Sequence, residues 1–394
     1  MPNEIIDRLR TEALIDTEIS NQIFKNITQQ SVALKVMKKL PNMSAKERKM
    51  RVLDSLPEAY WVDGDTGLKG TTAMEWKNKF ITAEEIAVIV PIPESVVADV
   101  SIDLMGEVRP LVEQAFAQKI DEAILMGEEA PASWGLGLVD LARNHGHVVK
   151  LASTTNYNDF HLKTLGEDGV LAKIESDGYL SNGILADVTV KSKLRGATNK
   201  DGDPVSVSTS EIDGIPINYV MNGTWKSDKV LMLAGDFNKS VYAIRQDLTM
   251  KLFTEGTITD NSGKVLYNLM QQDMVALRFV MRLGWTTINP VSVMNEDEST
   301  RFPFSILQKS SDPTIKTVTF TVYSDASVTP VVGAEVSFAG LKKKTNSSGK
   351  AVFETTENIK TGTKYTVKKD DVKIQDVIDE SITANKSITV ANFV

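Results

Sequence analysis

Three stretches decide the reading of this chain: Trp76-Lys-Asn-Lys-Phe80, then Glu84-Glu-Ile-Ala-Val-Ile-Val-Pro-Ile-Pro93, then Ile120-Asp-Glu-Ala-Ile-Leu-Met-Gly127. From Met74 to Val90 the large side chains Trp76, Phe80, Ile86, Val88 and Val90 have the texture of a strand. Pro91 and Pro93 stop it, because proline cannot donate to a ladder. Between Glu94 and Met126, Val108, Leu111, Val112, Ala115, Phe116, Ile120 and Ile124 recur at three- and four-residue intervals. That spacing predicts an amphipathic helix of about five turns. Pro110 lies inside it and is expected to kink it or to begin its second half. Gly127 is the expected stop.

Upstream, Ala59-Tyr-Trp-Val62 is strand-like and Asp63-Gly-Asp-Thr-Gly67 is a turn sequence. Two strands about such a turn read as a long hairpin, too polar at its tip for a core and so expected to project. The basic run Lys46-Glu-Arg-Lys-Met-Arg51 reads as a solvated helix face, with an extended arm lying on a neighbouring subunit as the alternative. Downstream the chain is mixed α/β. A helix is expected over Phe160–Ile174, and strands over Ile184–Val190, Ile215–Val220, Val230–Ala234 and Gln272–Arg282. After Pro313 the texture changes to short alternating segments, Thr317–Tyr323, Ala334–Phe338, Ala351–Glu354, Tyr365–Val367 and Ser387–Val390, which predict a β-sandwich.

The 394 residues suffice for two or three domains, and 42% hydrophobic with 24% charged content excludes a disordered or fibrous chain. No apolar run reaches the roughly 18–20 residues of a membrane span, and the first residues lack the apolar stretch of a signal peptide. Zero Cys excludes disulfides, thiol catalysis and Cys-ligated metals. The net charge of −8 argues against a general grip on nucleic acid. From Pro313 onward there are 11 Lys, no Arg and nine acids, a tail of +2 on a preceding chain of −10.

Chemistry finds little to work with. His145-Gly-His147 with His161 lacks a further ligand at a metal-site spacing, and Gly135-Leu-Gly137 lacks the third glycine of a dinucleotide loop. Asp201-Gly-Asp203 lacks the remaining ligands of a calcium loop. No pair of acids stands out as acid and base. The expectation is a chain that is not an enzyme and holds no metal or cofactor.

Taken in order, Tyr60-Trp-Val62, the turn, Trp76–Phe80, Glu84–Pro93 and the helix ending Ile120–Gly127 resemble the major capsid proteins of tailed bacteriophages, the Hong Kong 97-type fold. Asp177-Gly-Tyr179, Lys193-Leu-Arg195, Gly214-Ile-Pro216, Gly235-Asp-Phe237, Tyr242-Ala-Ile-Arg245, Asp273–Arg278 and Arg282-Leu-Gly284 with Pro290 continue the resemblance. It implies an α+β fold with an N-terminal arm over 1–50, an E-loop hairpin over 51–92, and a peripheral domain with a spine helix over 93–157. An axial domain over 158–280 and a peripheral return over 281–312 complete the shell part. It implies a structural protein of the virion, assembled in the host cytoplasm from pentamers and hexamers into an icosahedral shell around double-stranded DNA. Scaffolding and portal proteins are implied partners, with weak non-specific contact to DNA and none to a membrane. Trp61, Lys69, Trp76, Phe80, Pro110 and Phe116 are the candidate subunit contacts.

Residues 313–394 are similar to Ig-like modules of bacterial surface adhesins, through Pro330–Val336, Ser348–Phe353 and Gly362–Val367. In Tyr365-Thr-Val-Lys-Lys369 a Lys stands where such modules carry the Glu that assists an internal isopeptide bond, so a noncovalent sandwich is expected. The resemblance implies an outward decoration with a host-surface ligand. An encapsulin-type nanocompartment shell shares the shell fold and is the alternative; a surface enzyme or adhesin is a more distant one.

Overall fold

The computed structural model describes residues 27, 30–57, 59, 71–72, 74–94, 104–151, 157–196, 208–260, 262–309, 315–325, 329–370 and 372–393. In chain order these give α1 (Val32–Val36), β1 (Lys38–Lys39), β2 (Glu47–Leu53), β3 (Trp76–Thr82), β4 (Glu84–Pro93) and α2 (Leu104–Asp121). Then come α3 (Leu138–Asn144), β5 (Val148–Leu151), α4 (Tyr157–Leu165), α5 (Val170–Ser176), β6 (Gly183–Asp187), α6 (Val190–Arg195), β7 (Glu211–Ile212), β8 (Ile215–Val220) and β9 (Met232–Gly235). The long strands β10 (Ser240–Phe253) and β13 (Met274–Thr287) flank β11 (Thr257–Thr259) and β12 (Val265–Asn268), and β14 (Phe304–Lys309) follows. The tail holds β15 (Lys316–Val322), β16 (Glu335–Phe338), β17 (Leu341–Lys344), β18 (Lys350–Thr355), β19 (Lys364–Lys369), β20 (Val372–Val377) and β21 (Lys386–Val390).

One sheet runs β1-β10-β13-β4, with β13 antiparallel to both long neighbours. Alternation along β13 places Leu277, Phe279, Met281, Leu283 and Trp285 on one face, where they share a core with Phe116, Ile120 and Ile124. The helix α2 passes through Pro110 without ending and continues as a π turn, Glu122–Met126, that Gly127 closes in the left-handed conformation. At this junction Asp121 is fully buried and accepts from Ser31 Oγ (2.6 Å), Val32 N (2.9 Å), Ala33 N (3.0 Å) and Asn222 Nδ2 (2.6 Å). Burial pushes its carboxyl above the usual range in spite of these donors. One carboxylate thus ties α1, the long helix and the loop after β8.

A second sheet runs β5-β14-β9-β6-β8-β7 and packs on α4, α5 and α6 through Phe160, Leu171, Ile174 and Leu194. Sequence periodicity treated Phe160–Ile174 as one helix, whereas α4 and α5 are separate. Gly166 and Gly169 allow the break, since a Cβ on either would lie under 3 Å from the carbonyls of Leu162 and Thr164 respectively.

The tail makes two sheets, β18-β15-β21 and β17-β16-β19-β20. Phe320 sits between them, with ring centroids 5.1, 5.7 and 5.0 Å from Phe338, Phe353 and Tyr365. Apolar contact runs unbroken from the core of the first sheet into this one.

Two expectations for the hairpin are corrected. The partner of β3 is β2, in register from Glu47 opposite Thr82 to Leu53 opposite Trp76, so the basic run is a strand and the ribbon begins before residue 51. Glu47, Lys49 and Arg51 point out while Met50 and Val52 turn inward, a period of two that the helix-favouring composition hides. The single strand expected from Met74 to Val90 is two, because the chain leaves the ribbon at Ala83 and joins β13.

Candidate assembly surfaces

A two-stranded ribbon has too little core to stand alone in water. On the β2–β3 ribbon Trp76, Asn78 and Phe80 share the outer face, and Trp76 and Phe80 are 57% and 53% exposed. Two bare aromatics two residues apart make an exposed apolar patch on this face of the ribbon. The opposite face is anchored. Lys77 Nζ lies 2.8 Å from Asp54 and 2.7 Å from Glu298, and Lys342 of the tail stands 3.8 Å from Glu298. Burial works against the Lys77 charge, but the two carboxylates outweigh it and raise its pKa. Burial likewise works against the Glu298 charge, and Lys77 with Lys342 outweighs it and lowers that pKa.

The other sequence candidates fall differently. Phe116 is 2% exposed and belongs to the subunit's own core, so it is not a surface contact. Pro110 is exposed beside Leu111, itself 66% exposed. Trp61, Lys69 and the Asp201–Asp203 turn lie outside the described residues. His145 stacks on Phe302 at 4.5 Å, and burial lowers its pKa to about 4. His147 Nε2 meets Asp177 at 3.0 Å, and His161 stands apart on α4 against Phe160. Among the described residues no group of three His, Asp or Glu could hold a metal ion.

The tail is welded to the rest of the chain. Asp140 of α3 accepts from Thr356 N (2.8 Å), Thr356 Oγ1 (3.1 Å) and Thr355 Oγ1 (3.2 Å). Asn144 accepts from Glu354 N at 2.8 Å and donates to Glu354 O, so its amide extends the edge of β18. Lys229 pairs with Glu128 and with Glu357 of the tail. Leu136 N donates to Ala339 O at 3.2 Å. At Gly135, with φ +76°, a Cβ would stand 2.3 Å from that carbonyl; at Gly137 one would stand 2.4 Å from Gly127 N. These glycines serve close backbone approach, not a phosphate. Sequence reasoning missed Asp140, Asn144 and Glu298, which carry no motif.

Residues 11–294 match the phage capsid family. The major capsid protein of Staphylococcus phage 80alpha is 24% identical over 291 residues, 72% of this chain and 84% of that one. A solved structure from Microbacterium phage Oxtober96 superposes with a TM-score of 0.61 at 35% identity, covering 71% of this chain and 91% of the other. One from Mycobacterium phage Adephagia gives 0.62 at 25% identity, covering 72% and 91%. The chain belongs to the phage capsid family and is the major capsid protein of a phage, a structural component of the virion with the Hong Kong 97-type fold. Among the described residues no helix is long and apolar enough to cross a membrane.

Proposed function

We propose that this chain closes an icosahedral shell of pentamers and hexamers around double-stranded DNA, and that the outer face of the β2–β3 ribbon buries Trp76 and Phe80 against a neighbouring copy. The observation that carries this is the pair of half-exposed aromatics on the outer face of a two-stranded ribbon. Scaffolding and portal proteins guide the assembly, and DNA touches the inner wall weakly. The chain performs structural work and no catalysis. The tail is an Ig-like sandwich that decorates the outer surface and presents a ligand site to the host. The test is negative-stain microscopy of the expressed chain beside Trp76→Ala/Phe80→Ala. Wild-type shells and a loss of about tenfold or more in the variant support the reading, since two buried aromatics are worth several kcal/mol. Equal particle yield overturns the role of the ribbon face.

A further inference from the structure

Within the tail, positive charge is gathered on one face. On the β17-β16-β19-β20 sheet Val336, Phe338, Tyr365 and Val367 turn inward onto the Phe320 core. Alternation then sends Lys342, Lys344, Lys364, Lys368, Lys373 and Glu335 to the outward face. That is five lysines against one glutamate. The outward face of the partner sheet, β18-β15-β21, sets Lys350 and Glu354 on a row of threonines and is neutral.

The five lysines are not equally engaged. Lys342 stands 3.5 Å from Glu335 and 3.8 Å from Glu298. The Asp297 carboxyl is held below its ordinary range first by the Ser299 amide and in part by Lys344. Lys364, Lys368 and Lys373 are exposed and make no ion pair among the described residues. Lys368 lies directly opposite Lys373, where like charges destabilise a sheet. Lys364, four residues along β19, stands about 13 Å from Lys368. Asp376 of β20 points to the other side, towards Tyr365 Oη at 3.3 Å, and Asp370 occupies the turn at the end of the strand. The β19–β20 half of the face therefore carries positive charge that its own subunit does not neutralise.

The rest of the chain has the opposite charge. The tail is +2 and the part before it −10, so packing copies side by side sets one acidic part against the next, at an electrostatic cost. We infer that the β19–β20 half of the lysine face docks on an acidic surface in the shell part of a second copy of this chain. Carboxylates are available there. Glu47, Asp159, Glu167, Asp168, Glu175 and Glu255 are exposed and make no ion pair among the described residues. The contact is heterologous, lysines from one copy meeting carboxylates of the next, so each copy gives and receives once and the contact repeats around a ring. It offsets the repulsion between shell parts and makes the tail a participant in subunit contact. This inference rests on the shell-forming reading above.

The test uses particles assembled from an equal mixture of isotopically heavy and light full-length chains. A carbodiimide, which joins a lysine amine to a carboxylate as an amide, is added, and the linked peptides are read by mass spectrometry. Mixed heavy–light pairs joining Lys364, Lys368 or Lys373 to an acid within residues 1–312 are the expected result. As a second measurement, the full chain carrying Lys364→Glu, Lys368→Glu and Lys373→Glu yields about tenfold fewer particles than wild type near 0.1 M salt. The gap closes near 1 M salt, where screening shortens to about 3 Å, and that recovery shows that the variant folds. Intact particles whose linked pairs are of one isotope only, with a variant yield equal to wild type at low salt, overturn the contact and leave the shell reading standing. Alginate retained by finished wild-type particles, lost in the triple variant and unaccompanied by mixed pairs, identifies a free polyanion as the occupant and overturns it as well. Absence of wild-type particles sinks both readings.

Discussion

Replacing Asp140 by Ala should loosen the tail from the shell part of the subunit. The side chain is 1% exposed and receives one amide and two hydroxyls of Thr355 and Thr356. Arg143, 3% exposed at its side chain, stands 3.6 Å away and has no other carboxylate within ion-pair distance among the described residues. Alanine therefore takes away the acceptor of Thr356 N and Thr356 Oγ1, while Thr355 Oγ1 keeps Glu357 O at 3.1 Å, and it leaves a buried guanidinium without its counter-charge. Breaking a buried pair by removing one partner costs about 3–5 kcal/mol, close to a thousandfold in the docking equilibrium. Amide exchange read at Thr356 should accelerate by two to three orders of magnitude, roughly, with Phe320 and Phe353 in the tail core remaining protected. Asp140→Asn keeps an acceptor for Thr356 N and loses the charge facing Arg143, so it should fall about midway. Unchanged exchange at Thr356 in the alanine variant, with urea unfolding within about 0.5 kcal/mol of wild type, would refute the claim that this carboxylate holds the tail.

Gly135→Ala should destabilise the same junction by more than about 2 kcal/mol, because it adds positive-φ strain to a backbone clash; thermal unfolding checks it. His145 titrates at about 4 in the fold against 6.5 in the open chain, so stability present above pH 6.5 is lost as pH falls towards 4. The loss should be about 2 kcal/mol after allowing for its partly open edge, and His145→Phe, stacked on Phe302, should flatten that slope in urea titrations. Glu298 has a lowered pKa, so its hold on Lys77 is intact above its ordinary range and disappears as pH drops through the folded value. Glu298→Gln should produce at neutral pH the faster exchange at Lys77 and Phe80 that wild type shows only in acid.

Where side chains repeat with a clear period, the fold could be read directly. Ile86, Val88 and Val90 announced β4, the helical stripe from Val108 to Ile124 announced α2, and Thr317–Tyr323 announced β15. The ribbon aromatics were legible for the same reason, since Trp76 and Phe80 share a face only if the segment is a strand. The errors came where a distant partner decides local structure. Lys46–Arg51 has the composition of a helix surface, and it is a strand because β3, some thirty residues later, offers it a ladder. The break at Ala83 has no proline or glycine to mark it, and it exists because β4 is claimed by β13. Asp140, Asn144, Thr355 and Thr356 meet across more than 200 residues, and nothing in their local sequence distinguishes them from surface polar groups.

The tail was expected to be a decoration attached after the last shell strand, and its attachment is more demanding than a tether requires. Buried donors and acceptors fix it at α3, a glycine with no room for a Cβ fixes it at Ala339, and an acid shared by Lys77 and Lys342 links it to the ribbon. A domain that merely displayed a ligand site would gain nothing from contact with the element that carries the exposed aromatics. On the contact proposed for Trp76 and Phe80, fixing the ribbon base would restrict the angles at which they meet another subunit, and the entropy of that choice would be lost during folding of the monomer rather than during assembly. Chains lacking residues 313–394 should therefore form fewer and less uniform shells even if the remaining fold is intact. Size distributions measured by electron microscopy decide this: particles of wild-type number and uniformity would reduce the tail to decoration.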